Sequence, residues 1–134
     1  MKESLHNLGL LLLRVMMGSG MAYHGYGKIF GGHMDKFIAG VAHMGFQHPE
    51  IFAWAAALSE FVGGILIVLG LLTRLAALFI FVTMSVAAFI TLASSPLDAK
   101  ELALAYWAMA GCLLLTGPGA IAADATLSGK KSKG

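Results

Sequence analysis

The sequence predicts an all-α protein, an integral membrane four-helix bundle with a short interfacial or re-entrant helix between the first and second spans. Hydrophobic residues make up 58% of the 134-residue chain and charged residues 12%, whereas soluble domains average about 45–50% and about 25%. A soluble domain of this size could not bury so much apolar surface. The composition therefore argues against a soluble enzyme or a disordered chain, and a net charge of +2 gives no indication of a nucleic-acid partner.

Four apolar stretches define the predicted spans, and each is near the ~20 residues needed to cross a bilayer. They cover residues 5–25, 52–72 and 75–93, and a fourth begins between 96 and 102 and ends at 116. Pro96 suits the start of a helix, and Gly117-Pro118-Gly119 would end one sharply. We therefore predict one four-span domain over residues 1–125 and a flexible basic tail over residues 126–134.

One long connection, residues 26–51, separates the first two spans. Its apolar residues recur at helical spacing, namely Phe37, Ile38, Val41, Met44 and Phe46. The segment is too short to span a bilayer, so we predict a helix that lies at the interface or re-enters the membrane.

The basic residues predict the orientation in the membrane. Four spans place both termini on one side, together with the turn between the second and third spans. That side collects Lys2, Arg74, Lys130, Lys131 and Lys133. By the positive-inside rule, both termini are expected to be cytoplasmic.

Aromatic residues gather at the opposite ends of the predicted spans. They are Tyr23, Tyr26, Trp54, Tyr106 and Trp107. An interfacial belt explains them, since Trp and Tyr favour the headgroup level, but a one-sided cluster also suits an aromatic-lined binding site. The same side holds four histidines whose spacing matches no metal-binding motif, so we predict no metal site; they are His24, His33, His43 and His48.

Two charged residues inside the predicted spans, Arg14 and Glu60, give the sharpest indication of a site. A charge at the bilayer centre costs at least ~2.5–3.5 kcal/mol, so the two are expected to pair. Arg14 lies ~14 Å and Glu60 ~18 Å from the cytoplasmic ends of their spans, so the two residues are nearly level in the bilayer. The small residues around Glu60 indicate that it faces the bundle. Such a pair could be purely structural, or it could bind a ligand head group or transfer protons.

The candidate site residues follow from this pair and from the aromatic cluster. The candidate catalytic residues are Glu60, Arg14 and His24. The candidate ligand-binding residues are Arg14, Lys28, Glu60, Trp54, Tyr106 and Trp107. His24 and Lys28 lie at the mouth of the first span, where neighbouring glycines would let a ligand approach closely.

Three segments resemble the DoxX family. They are Leu12-Leu13-Arg14-Val15 with Gly18, His24-Gly25, Lys28 and Phe30-Gly31; residues 59–77, which include Ser59-Glu60-Phe61 and Thr73-Arg74; and Gly117-Pro118-Gly119 with Asp124. The resemblance implies a four-helix inner-membrane protein of the bacterial type. It also implies a link to thiosulfate:quinone oxidoreductase, or to the oxidative-stress and detoxification complexes of other members.

Three functions are compatible with these residues and with the resemblance. The first is a membrane subunit of a quinone-linked redox system. Arg14 and Glu60 would form the polar end of a quinone pocket, and Trp54, Tyr106 or Trp107 would stack on the ring. Electrons would come from a soluble redox partner, since the sequence has no haem or iron–sulfur ligation motif.

The second function is a non-catalytic anchor that recruits soluble enzymes to the lipid bilayer. The third is a small-metabolite transporter, for which a homodimer could build the path. The sequence leaves open whether the chain is itself catalytic, and quinone is the one cofactor that it suggests.

Overall fold

The computed structural model describes residues 1–132, which form an all-α bundle and confirm the predicted fold class. Helix α1 is Lys2–Phe30, α2 Met34–His43, α3 Pro49–Leu69, α4 Thr73–Val86, α5 Leu97–Thr116 and α6 Ala123–Ser132. A π-helical turn, Ala87–Thr91, continues α4. Helix α1 packs along α3, α3 along α4 and α4 along α5, while α2 lies against α3.

Within residues 1–132, three helices are long and apolar enough to cross a membrane: α3, α4 with its π-helical turn, and α5. Helix α1 has 29 residues, or about 44 Å at 1.5 Å per residue, but it is the least apolar of the four long helices. Large apolar side chains cover the outside of the bundle, where Leu12 is 66% exposed and Leu115 81%. Such a surface marks contact with lipid, so the chain is a membrane protein with multiple apolar helices.

The boundaries differ from the prediction at α1 and at the C-terminal segment. Helix α1 continues to Phe30 because Tyr26 and Phe30 pack on Phe61 of α3. The segment predicted as a flexible tail from residue 126 is helical through Ser132 in α6. The first turn of α6 is fixed by the N–H of Asp124, which donates to the carbonyl of Gly70 at 2.9 Å. Residues 133–134 lie outside the described part of the chain.

Helices α1 and α3 touch through their backbones. A Cβ built on Gly64 would lie 2.5 Å from the carbonyl oxygen of Gly18, and the same distance separates a Cβ on Gly18 from the carbonyl oxygen of Gly64. Small residues permit such close approach between membrane helices. Gly63 and Gly64 are buried beside Glu60, which confirms that this face of α3 turns into the bundle.

Replacing Gly64 with alanine should lower the free energy of unfolding by ~1–3 kcal/mol, the usual cost of overpacking. The added methyl group would meet backbone atoms of α1, which cannot rotate away as a side chain can. Thermal unfolding of detergent-solubilised protein, followed by circular dichroism, measures the loss. Gly9→Ala is the matched control, since nothing lies within 4 Å of its Cβ position, and it should leave the stability equal or slightly higher.

Candidate intramembrane site

A buried ion pair joins α1 to α3. Nζ of Lys28 lies 2.9 Å from Oε1 and 2.7 Å from Oε2 of Glu60. The side chain of Glu60 is 3% exposed and that of Lys28 is 23% exposed. The ammonium also lies 4.2 Å from the centre of the Phe37 ring of α2. An ammonium has three N–H donors, so the two contacts with Glu60 leave one donor for a further partner.

The predicted pairing of Arg14 with Glu60 is wrong. Nη2 of Arg14 lies 3.5 Å from the carbonyl oxygen of Val68, near the C-terminal end of α3, whereas Lys28 is the residue opposite Glu60. The prediction assumed that the first two spans end at the same level. Instead, the first turns of α1 reach the loop after α5, where the N–H of Ala120 donates to Oδ1 of Asn7 at 3.0 Å. Arg14 therefore lies at the end of the bundle that carries the α3–α4 turn, away from Glu60.

Arg14 holds the loop after α5 in place. Its Nη1 donates to the carbonyl oxygens of Ile121 at 2.8 Å and Pro118 at 3.1 Å, and the residue is 1% exposed. Gly117 and Gly119 have φ values of 77° and 85°, left-handed conformations that glycine adopts without strain. The Gly117-Pro118-Gly119 motif thus shapes the loop whose carbonyls Arg14 binds. We call this set of contacts the Arg14 clamp.

Asp124 fixes the turn between α3 and α4. Its Oδ1 accepts from the N–H of Leu72 at 2.8 Å and its Oδ2 from the N–H of Thr73 at 2.9 Å. These bonds hold Leu72 at φ 49°, an unfavourable conformation for a residue with a side chain. Burial raises the pKa of Asp124, but the N–H groups of Thr73 and Leu72 and the charge of Arg14 outweigh burial, so the pKa lies below its ordinary value.

Acid should weaken this turn. Because the pKa of Asp124 is lowered on folding, its carboxylate stabilises the fold above its ordinary pKa, and this contribution is lost as the pH falls through the folded-state pKa. The Tm of the solubilised protein should therefore decrease below about pH 4. Asp124→Asn should have a lower Tm near neutral pH and a flatter pH dependence, whereas Asp98→Asn, at an exposed position, should behave as the wild type. A pH dependence that Asp124→Asn leaves unchanged would refute this role.

An apolar cavity of about 270 Å³ lies against the Lys28–Glu60 pair. Side chains of α2, α3 and α4 form its walls, among them Phe37, Phe46, Phe52 and Phe79. Phe52 and Phe79 are also half exposed on the outside of the bundle, so the cavity borders the lipid. The π-helical turn of α4 contributes Ala87 and Thr91 to the wall, and such turns are frequent at functional sites.

A second cavity of about 210 Å³, which we call the inner chamber, also contacts the pair. It lies between α1, α4 and α5, and it shares Lys28, Glu60 and Ala87 with the apolar cavity. His24 and Tyr106 add polar groups to its wall, and their rings meet edge to face with centroids 5.9 Å apart. The Tyr106 hydroxyl lies against Gly20 of α1, where any Cβ would collide with it.

The two tryptophans do not line either cavity. Trp107 stacks on Phe81 with ring centroids 5.3 Å apart, and its Nε1 donates to Oγ of Ser85 at 3.0 Å. Trp107 therefore ties α5 to α4, and Trp54 lies exposed on α3. Among the predicted site residues, the structure brings His24, Lys28, Glu60 and Tyr106 together and places Arg14, Trp54 and Trp107 elsewhere.

The phenylalanines of the apolar cavity were not among the predicted site residues. The apolar pattern over residues 37–46 was the available signal. A helix that is too short to span the membrane but has an apolar face has to pack that face on another apolar surface. Nothing in that pattern indicated that Phe37 would lie over Lys28, since this contact depends on how the connection folds back onto α3.

The fold and the site define a small multi-pass helical membrane protein with a buried acid–base pair between two cavities. A model of the DoxX family matches residues 9–93, which include Arg14, Lys28 and Glu60 and make up more than half of the chain. The chain belongs to the DoxX family. No curated protein and no solved structure shows significant similarity to it.

Proposed function

We propose that this DoxX protein is the membrane subunit of a quinone-linked redox system, and that the apolar cavity beside Lys28 and Glu60 is its quinone site. The observation that carries the proposal is a buried ion pair in the wall of a cavity lined mainly by apolar side chains. Ligand sites commonly combine an apolar wall with a few polar groups that fix the orientation of the ligand. Ionisable residues inside a membrane protein are functional candidates by default.

The residues present fit a quinone ring. A volume of about 270 Å³ is near the lower end of ligand pockets, about 300–1,000 Å³. That size suits a ring whose apolar tail leaves into the lipid beside Phe52 and Phe79. Aromatic side chains pack well on a planar ring, and the third N–H of Lys28 can donate to a ring oxygen.

A bound quinone would supply two-electron, two-proton redox chemistry. Lys28 would orient the ring by its hydrogen bond, and Glu60 would keep the ammonium in position and hold or accept a proton near the same oxygen. His24 and Tyr106, in the inner chamber, could exchange protons with the pair. Arg14 takes no part, because it lies toward the other end of the bundle, where its Nη1 donates to two backbone carbonyls.

We place the electron donor outside this chain. The sequence has one cysteine, so no dithiol within the chain can pass electrons to the ring, and we propose a soluble redox partner. We further propose a bacterial inner membrane with both termini in the cytoplasm, which the positive-inside rule supports. The Lys28–Glu60 pair would then lie toward the outer side of the bilayer.

Quinone binding is testable with the purified protein. A short-chain ubiquinone analogue, titrated into the protein in detergent, should quench tryptophan fluorescence saturably. Ala56 lines the apolar cavity, so Ala56→Phe should fill it and weaken binding at least ~10-fold, or about 1.4 kcal/mol.

The matched control is Val62→Phe, on the exposed side of the same helix, and it should bind as the wild type does. Quenching that is not saturable, or that Ala56→Phe leaves unchanged, would overturn the quinone site. In that case, copurification of a stoichiometric soluble partner would favour the anchor, and solute flux into liposomes would favour the transporter.

A further inference from the structure

Three cavities follow one another at the end of the bundle that carries α2, and they share residues where they meet. A surface hollow of about 380 Å³ is lined by Tyr23, His24, Tyr26, Gly27, Gly31 and His33. His24 also lines the inner chamber, and the Lys28–Glu60 pair lines both the inner chamber and the apolar cavity. His24 therefore lies where the surface hollow meets the inner chamber, and the ion pair lies where the inner chamber meets the apolar cavity.

The inner chamber offers what internal water requires. A buried water makes about three hydrogen bonds, and its share of liquid volume is ~30 Å³. A chamber of about 210 Å³ has room for several water molecules. Four polar side chains contribute to its wall, namely His24, Lys28, Glu60 and Tyr106. The chamber is thus large enough for water, and these four side chains would give that water hydrogen-bond partners.

The apolar cavity offers water fewer hydrogen-bond partners than the inner chamber does, because its hydroxyl groups already donate hydrogen bonds within the protein. Oγ of Ser59 donates to the carbonyl of Ala55 at 2.7 Å, and Oγ1 of Thr83 donates to the carbonyl of Phe79 at 2.8 Å. These bonds stay within α3 and α4, so the hydroxyl protons are not offered to the cavity. Apart from the ion pair, water would find few partners there, and apolar cavities stay dry.

We propose that the inner chamber is a water-filled vestibule that brings water and protons to one face of the Lys28–Glu60 pair, while the apolar cavity on the other face stays dry. His24 lies at the junction with the surface hollow, four residues before Lys28 and on the same face of α1. The use of the vestibule to supply protons to a quinone rests on the proposed function. Its hydration does not.

Cysteine labelling tests the hydration directly. In a Cys112→Ala background, Ala103→Cys reports on the inner chamber and Ala56→Cys on the apolar cavity, and both alanines are partly buried. Permanently charged methanethiosulfonates react with the thiolate and have to arrive through water. The cysteine at position 103 should react at least ~10-fold faster than the one at position 56. Equal rates, or a faster reaction at position 56, would overturn the proposal.

Reagents of opposite charge test whether the Lys28–Glu60 pair is in contact with the water of the inner chamber. Added to the Ala103→Cys chain, Lys28→Met leaves a carboxylate at the chamber and should raise the rate ratio of cationic to anionic reagent at least ~5-fold. Glu60→Gln leaves an ammonium and should lower that ratio by a similar factor. If Lys28→Met does not fold, Glu60→Gln still provides the test.

The control for the charge test is Thr126→Cys in the same Cys112→Ala background, because Thr126 is exposed on α6 outside the membrane-spanning helices; neither substitution should change the ratio there. An unchanged ratio at position 103 would overturn the vestibule. No quinone is needed in these measurements. Loss of saturable quinone binding with intact labelling would therefore refute the proposed function alone.

Discussion

Replacing Lys28 with methionine should lower the free energy of unfolding by roughly 3–5 kcal/mol, the cost of leaving one partner of a buried ion pair unpaired. Both carboxylate oxygens of Glu60 contact the Lys28 ammonium, and the residue is buried. Methionine keeps an apolar side chain of similar length but supplies no cation. Unfolding of the detergent-solubilised protein by heat or by a denaturing detergent, followed by circular dichroism, measures the loss.

The double variant Lys28→Met/Glu60→Leu should recover most of that loss, because apolar residues can replace a buried pair at little cost. The same cycle with Arg14 is the control. Arg14→Met and Glu60→Leu should have additive effects, since residues without shared contacts do not couple. A coupling of about 1 kcal/mol or more between Arg14 and Glu60 would contradict their separation in the structure.

Much of the fold could be predicted because hydrophobicity and helix-ending residues are local properties. The apolar stretches located α3, α4 and α5, and the spacing of apolar residues located α2 within the connection. The π-helical turn Ala87–Thr91 could not be predicted, since its backbone pattern leaves the apolar composition of the span unchanged. The helix from Ala123 was also missed, because its first turn depends on a hydrogen bond to Gly70, a residue far away in the sequence.

The candidate site could be predicted only in part, because residue types are local but pairing depends on helix register. Glu60 and Lys28 were both named as site residues. Their pairing was missed because two spans of similar length were assumed to begin and end together. The contacts of Gly18 with Gly64 and of Gly25 with the backbone of Phe61 fix the actual register. Small residues indicate that two helices approach closely, but not which glycine meets which.

Arg14 is the residue whose interpretation changes most. Replacing it with leucine should destabilise the end of the bundle that holds the loop after α5 and leave the Lys28–Glu60 end unchanged. The substitution removes the donor to the carbonyls of Pro118 and Ile121. A buried polar group without a partner costs about 1–3 kcal/mol. Two such carbonyls should therefore cost about 2–6 kcal/mol in total, and the Tm should fall accordingly. Limited proteolysis should cut the segment after α5 faster than in the wild type.

The quinone titration decides whether this effect is purely structural. The folded fraction of Arg14→Leu should bind the quinone analogue as the wild type does, because the Lys28–Glu60 pair and both cavities lie toward the other end of α1. Arg14→Lys should be intermediate in stability, since an ammonium keeps the charge but lacks the fork of donors that a guanidinium offers. Loss of quinone binding at unchanged stability would instead place Arg14 in the binding site. Wild-type stability in Arg14→Leu would show that the Arg14 clamp does not hold the loop after α5.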